Sequence, residues 1–283
     1  IIIFFISTLF ILNFNIIKRD GFESRFNFNL KNFKLDKKSY ELENINFEIN
    51  YNYNNYDDRK NVLIVGNSHA EDILEILSKT NLVDKIYFNL ISTKIRTLDI
   101  NFQISDLYRF LKGYGSLDES FNHLKKQYDN ADLIILSTHY SEDDLNILDD
   151  LIKILKRNNK KIIAFDNALE QTTKINFNRL DYYVYKNKKF PNKDYIKKIE
   201  EKMFLDLKNR ENINILIKTI TNINNVPLIE RAKIFCNVNL KRCPSITQDG
   251  YKIYWDFSHI TDKGAEFFAR IIEKDKLFLR YLN

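Results

Sequence analysis

Asn61-Val62-Leu63-Ile64-Val65-Gly66-Asn67-Ser68-His69-Ala70-Glu71-Asp72-Ile73-Leu74 decides how the rest of this chain is read. The apolar run Val62–Val65 predicts a buried strand, and Gly66-Asn67 a tight turn. Ala70–Lys79 predicts a helix with Ile73, Leu74, Ile76 and Leu77 on one face. Ser68 therefore stands where a strand ends and a helix begins. Unpaired backbone N–H groups and the positive end of the helix dipole can hold an oxyanion at such a point. Two readings of Ser68 stay open, a helix N-cap and a nucleophile. The second needs a base, and the chain offers one near its end in Asp256-Phe257-Ser258-His259.

Working outward, strands and helices alternate. Lys85–Ile91 and Asp132–Ser137 predict strands two and three, and Lys161–Phe165 the fourth. Val226–Ile229 predicts a short fifth strand. Helices are expected over Ser105–Leu111, Leu117–Tyr128, Glu142–Arg157, Lys193–Asn209 and Glu211–Thr221. A last helix, Asp262–Leu279, is expected to bury Phe267, Phe268, Ile271 and Ile272. Thr172–Phe190 reads as an irregular insert and Tyr251–Tyr254 as a small edge strand. The alternation implies an α/β fold, a parallel sheet with helices on both faces. Sites in such sheets lie at the carboxyl ends of the strands, where Ser68 is placed.

The chain has 283 residues, 44% hydrophobic and 29% charged, with 6 Gly, 3 Pro and a net charge of +6. Lysines run along its whole length, often beside acids. This reads as a solvated surface without a compact basic patch of interleaved aromatics, so no nucleic-acid partner is expected. Ile1–Ile17 carries no charge and lies at the short limit of a membrane span, which needs roughly 20 residues. We read 1–17 as a transmembrane helix, the last of a longer protein, 18–59 as a linker, and 60–283 as the catalytic domain. Lys18 and Arg19 after the span would favour the cytoplasm by the positive-inside rule, which opposes the placement implied below. Cys236 and Cys243 flank a polar loop, which suits a disulfide better than two core thiols. No His, Cys or Asp cluster has metal-ligand spacing, so no metal is expected.

Asp256 and His259, three residues apart, can point the same way. Asp256 would then orient His259, and His259 would take the Ser68 proton and return it to the leaving group. In isolation, Asp-x-x-His reads more readily as a helix cap beside a surface histidine; the strand–Gly–x–Ser–helix at the front of the same domain is what turns the reading toward catalysis.

Gly66-Asn67-Ser68-His69-Ala70 resembles the G-D-S-H-A block of SGNH (GDSL-type) hydrolases, and Asp256-Phe257-Ser258-His259-Ile260 resembles their closing D-x-x-H block. The Cys loop, Asp249-Gly250-Tyr251, Tyr254-Trp255-Asp256 and His259-Ile260-Thr261-x-x-Gly264-Ala265 are closer still to one subgroup. That subgroup is the SGNH domain fused to the acyltransferase-3 family of membrane O-acetyltransferases. The resemblance implies a three-layer, flavodoxin-like fold and a Ser68–His259–Asp256 triad. It implies transfer of acetyl groups to cell-surface polysaccharide or a lipid-linked glycan through an acyl-serine. It also implies an upstream membrane unit that uses a donor such as acetyl-CoA, no cofactor in the domain itself, and a domain on the periplasmic side of the bacterial cytoplasmic membrane. Two departures stand out. Asn67 replaces the usual Asp, and the G-x-N-D block that supplies an oxyanion donor is missing. Candidate oxyanion or substrate contacts are the Ser68 amide, Gly66, Asn67, Ser92, Thr93, Thr138 and His139. The rival readings are a carbohydrate O-acetyl esterase or GDSL-type esterase and, from another class, a non-catalytic glycan-binding or assembly domain.

Overall fold

The computed structural model describes residues 59–91, 104–113, 119–173, 177–187 and 189–282. The expected membrane helix over 1–17, nearly all of the linker over 18–59, and the candidates Ser92 and Thr93 lie outside these residues. Among the described residues no helix is long and apolar enough to cross a membrane.

The chain runs β1 (Lys60–Val65), α1 (Ser68–Ser78), β2 (Ile86–Ile91), α2 (Ile104–Leu111), α3 (Glu119–Asn130), β3 (Leu133–Leu136), α4 (Glu142–Arg157) and β4 (Lys161–Phe165). It continues through α5 (Arg179–Asn187), α6 (Lys193–Asp206), α7 (Glu211–Ile223), β5 (Leu228–Ile229), α8 (Arg231–Phe235), α9 (Asp262–Ile272) and α10 (Lys276–Leu282). The five strands are all parallel, in the order β2-β1-β3-β4-β5. This is the flavodoxin-like order, whose switch point lies between β1 and β3.

The period-two alternation of the strands builds two cores. Val62, Ile64, Leu133, Ile135, Ile163 and Phe165 face one side, where they pack with α1 and α9 residues such as Ile73, Leu77, Phe268 and Ile272. Leu63, Val65, Ile134, Leu136, Ile162 and Ala164 face the other, against Leu107, Leu148, Leu151, Leu155 and Ile217. Both faces of the sheet are therefore apolar, and the strands read as continuous hydrophobic runs.

Four expectations need correction. The insert Thr172–Phe190 contains α5, which buries Leu180 and Val184, one turn apart. Asn178 starts it, its Oδ1 accepting from the Asp181 amide at 2.8 Å. Tyr251–Tyr254 is not a strand. Only isolated bridges form there, Ile246 with Lys252 and Tyr254 with Ile260, because loop backbones take its hydrogen bonds. The last helix breaks after Ile272, and Asp275 caps α10 through the Phe278 amide at 3.1 Å. The face of α9 that is fully buried carries Ala265, Phe268, Ala269 and Ile272, while Phe267 and Ile271 are only partly covered. The short α8 had no counterpart in the sequence reading.

Gly66 ends β1 where the backbone of β3 comes closest. The Ser137 amide donates to the Val65 carbonyl at 2.9 Å, and a Cβ at Gly66 would sit 1.9 Å from the Ser137 carbonyl oxygen. That oxygen is main chain at the end of β3 and cannot swing aside as a side chain would. Gly66→Ala is expected to destabilise the fold by about 3 kcal/mol, the upper range for overpacking. A thermal melt indistinguishable from wild type would count against this.

Candidate active site

The turn after β1 is built by Asn67. As N-cap of α1 it accepts from the His69 amide through Oδ1 at 3.1 Å. The same oxygen accepts from the His139 amide at 3.2 Å. One side chain thus ties the serine turn to the loop after β3, across the switch point. Both bonds use Oδ1 as acceptor, a role that Asp or Asn can fill, which accounts for Asn67 in place of the usual Asp.

Ser68, the first residue of α1, meets the closing segment of the chain. His259 Nε2 lies 2.7 Å from Ser68 Oγ, and His259 Nδ1 lies 2.7 Å from Asp256 Oδ2. The other carboxylate oxygen, Asp256 Oδ1, accepts from the backbone amides of Ser258 and His259, each at 2.7 Å. Those two bonds fold the loop so that Asp256 and the imidazole face each other. α9 packs on α1, and Gly264 lets α9 lie close against the segment leading to Asp256. A Cβ there would stand 2.3 Å from the Ile253 carbonyl oxygen, so a side chain would lift α9 from the segment leading to Asp256.

The imidazole is held on its faces as well as its edges. His69 stacks on it with ring centroids 5.0 Å apart and planes 14° apart, and Trp255 at 5.4 Å and 21°. Burial pulls the His259 pKa down. The hydrogen bond to Asp256, and the charges of Asp72, Asp256 and Glu71, outweigh it and hold the group above its ordinary value. Burial likewise pushes Asp256 up, but the bonds from His259 and Ser258 carry it below the usual carboxylate range. His69 is nearly inaccessible, and burial keeps its pKa low against the pull of Asp72.

If His259 serves as base, it must be neutral to accept the Ser68 proton. Because the His259 pKa is raised, the acidic limb of kcat/KM for an acetyl ester is expected to have its midpoint above 6.5, with activity lost as pH falls through it. Asp256→Asn should move that midpoint down as well as lower the rate. A limb that keeps its position in Asp256→Asn would refute the pairing.

Of the oxyanion candidates, the Ser68 amide has no acceptor among the described residues and lies at the positive end of α1. Gly66 and Asn67 shape the turn. Thr138 is buried after β3. The His139 amide is taken by Asn67, so its backbone is not the second donor. Its ring lies 5.8 Å from that of His69, and its Nδ1 is 3.3 Å from Glu170 Oε1. Glu170 Oε2 pairs with Arg210 at 2.5 Å.

Among the described residues two trios of metal-ligating groups converge, His69–Asp72–His259 and His69–His139–Glu170, each with donor atoms within 4.8 Å of one another. The sequence spacing hid them because the ligands come from separate segments. In the first, both ring nitrogens of His259 already face Ser68 and Asp256, so an ion there would take the base away from the serine. Cys236 and Cys243 are joined in a disulfide.

Sequence reasoning missed the support beneath the site. Arg231, fully buried at the start of α8, donates from its backbone to Asp166 Oδ1 at 2.6 Å and from Nε to the Asp166 carbonyl at 2.7 Å. Its Nη2 donates to Ser137 Oγ at 2.7 Å, and Ser137 Oγ donates to the His69 carbonyl at 3.1 Å. A charge planted under three strand ends thus reaches the residue after the serine. Asp72 was also missed, although it lies one turn beyond Ser68. Its Oδ1 accepts from the Ile260 amide at 3.3 Å, clasping α1 to the histidine loop.

Against known proteins, residues 39–274 match the SGNH domain (fused to AT3 domains). Among solved structures, the chain is similar to the periplasmic domain of the lipopolysaccharide acetyltransferase of Salmonella ser. Paratyphi A. The two share 16% identity with a TM-score of 0.47, over 78% of this chain and 85% of that one. No curated protein matches the chain significantly in sequence. The family match spans most of the chain and both halves of the Ser68–His259–Asp256 cluster, and the protein belongs to the family of SGNH domains fused to AT3 domains.

Proposed function

We propose that this domain is a serine O-acyltransferase that moves acetyl groups through Ser68 to a hydroxyl of a cell-surface or lipid-linked glycan. The observation that carries the reading is the unbroken Ser68–His259–Asp256 chain, two contacts of 2.7 Å each. Ser68 Oγ attacks the acyl carbonyl while His259 Nε2 takes its proton. The Ser68 amide and the α1 N-terminus meet the oxyanion. His259 then protonates the leaving group, and acyl-Ser68 remains. In the second half a sugar hydroxyl gives its proton to His259 and attacks acyl-Ser68, and the proton returns to Ser68 Oγ. Asp256 keeps the ring in the tautomer that both halves need. The donor would come from a membrane acyltransferase unit upstream, and the disulfide fits an oxidising, extracytoplasmic side.

The test is covalent. Quenching the protein during turnover of an activated acetyl ester should leave acetyl on the peptide carrying Ser68, read by mass spectrometry. Adding a glycan acceptor should then divert acetyl from water to sugar. Acetyl found elsewhere, or none at all with turnover intact, would overturn the mechanism. Hydrolysis that no acceptor diverts would mark an esterase.

A further inference from the structure

Away from the triad, α5 and α6 pack as a helical hairpin that carries exposed lysines and aromatics. Between Tyr182 and Lys198 the sequence holds six lysines and a single acid, Asp194, a local charge of +5 where the whole chain carries +6. Here lysines cluster with few acids between them, and aromatics are interleaved with them. Tyr185 is 48% exposed, Tyr195 47% and Phe190 37%. Phe177, also exposed, packs edge-on to Tyr185 at 5.9 Å, and Lys198 Nζ lies over the Tyr195 ring at 5.3 Å. Lys186, Lys189, Lys193 and Lys197 are exposed around them.

We infer that this hairpin is a docking surface for an anionic phospholipid bilayer. Tyrosine and phenylalanine settle at the headgroup boundary, and lysines add attraction to anionic headgroups that dies away within a Debye length. The basic residues here are all lysine. Arginine, whose planar fork is favoured for bidentate phosphate recognition in nucleic acid, does not occur between Tyr182 and Lys198. The family is one of domains fused to AT3 domains. If the proposed membrane unit is present, tethering would keep the hairpin at high effective concentration near a bilayer.

The base of the hairpin is joined to the catalytic loop. Asn178 Nδ2 donates to the Tyr254 carbonyl at 3.1 Å, and Lys252 Nζ donates to Asp181 Oδ2 at 2.7 Å. Docking would therefore set the orientation of the triad to the membrane. This inference rests on the proposed lipid-linked acceptor only for its purpose, since turnover of a soluble ester reads the triad without any bilayer.

The full chain is the sample. Its two cysteines are paired, so a single new cysteine takes a polarity-sensitive label uniquely. Asn187→Cys places it on the hairpin, and Ser78→Cys at the far end of α1. Vesicles of phosphatidylcholine with phosphatidylglycerol should shift the Asn187→Cys label to the blue and leave the Ser78→Cys label unchanged. Phosphatidylcholine alone should shift neither. With Lys189, Lys193 and Lys197 all changed to Gln, about a hundredfold more lipid should be needed, about fivefold for each lysine. Soluble-ester turnover should be unchanged in that variant, which shows it folded. Equal shifts at both labels, a shift indifferent to lipid charge or to the lysines, or tighter binding of a single-stranded oligonucleotide than of vesicles would each overturn the inference.

Discussion

Ser68→Ala is expected to lower kcat for a soluble acetyl ester by about 10⁴-fold or more, with little change in melting temperature. Removing a nucleophile that works as one unit with its base costs nearly as much as removing the whole triad. The residual rate would come from the α1 N-terminus and from binding alone. The fold should tolerate the change because Ser68 is not the cap of its helix. Asn67 holds that place, and among the described residues the Ser68 hydroxyl hydrogen-bonds to His259 alone. His259→Ala should fall to a similar level, and the double variant should fall little further. A Ser68→Ala protein that keeps wild-type turnover would leave the residue as a mere link in the turn.

The second large effect is on stability. Arg231→Met should cost about 3–5 kcal/mol, the range for leaving a buried charge without the opposite charge that compensates it. That corresponds to about 10 °C in melting temperature for a domain of this size. Three acceptors lose a donor or a neighbour at once. The Asp166 carbonyl and Ser137 Oγ lose guanidinium bonds, and the Asp166 carboxylate keeps its bond from the backbone amide of residue 231 but loses the neighbouring positive charge. Burial has already pushed the Asp166 pKa up to about 6, and loss of the guanidinium raises it further. A carboxyl whose folded pKa lies above its unfolded value costs stability wherever it is ionised. That cost is relieved as pH falls through the folded pKa. The deficit relative to wild type should therefore be smaller in mildly acidic than in neutral buffer. A loss under about 1 kcal/mol, ordinary for a surface change, would show that the network does not carry the site.

Why the triad was legible and Arg231 was not follows from how each announces itself. Ser68 is flagged by local order, an apolar strand, a glycine and an amphipathic helix, and its partners share a four-residue segment. The fold was legible for the same reason. β1, β3 and β4 are apolar on both faces, as buried parallel strands must be. Arg231 follows a two-residue strand and starts a five-residue helix, so no period marks it, and its partners lie 65 and 94 positions away. α5 was misread because tyrosines and lysines dilute a face defined by only Leu180 and Val184. The second oxyanion donor stayed unassigned because it depends on which loop amides are already engaged. The bond from His139 to Asn67 is a fact of geometry that composition does not record.

The alcohol and its base lie at opposite ends of the described chain, and the final helix closes the circle, with Lys60 of β1 donating to the Leu282 carbonyl at 2.7 Å. A polypeptide emerging in order would expose Ser68 long before His259 exists to deprotonate it. On the mechanism proposed above, the domain would stay inert until the closing segment has emerged and settled against α1, and an unfinished chain would neither acylate itself nor spend donor on water.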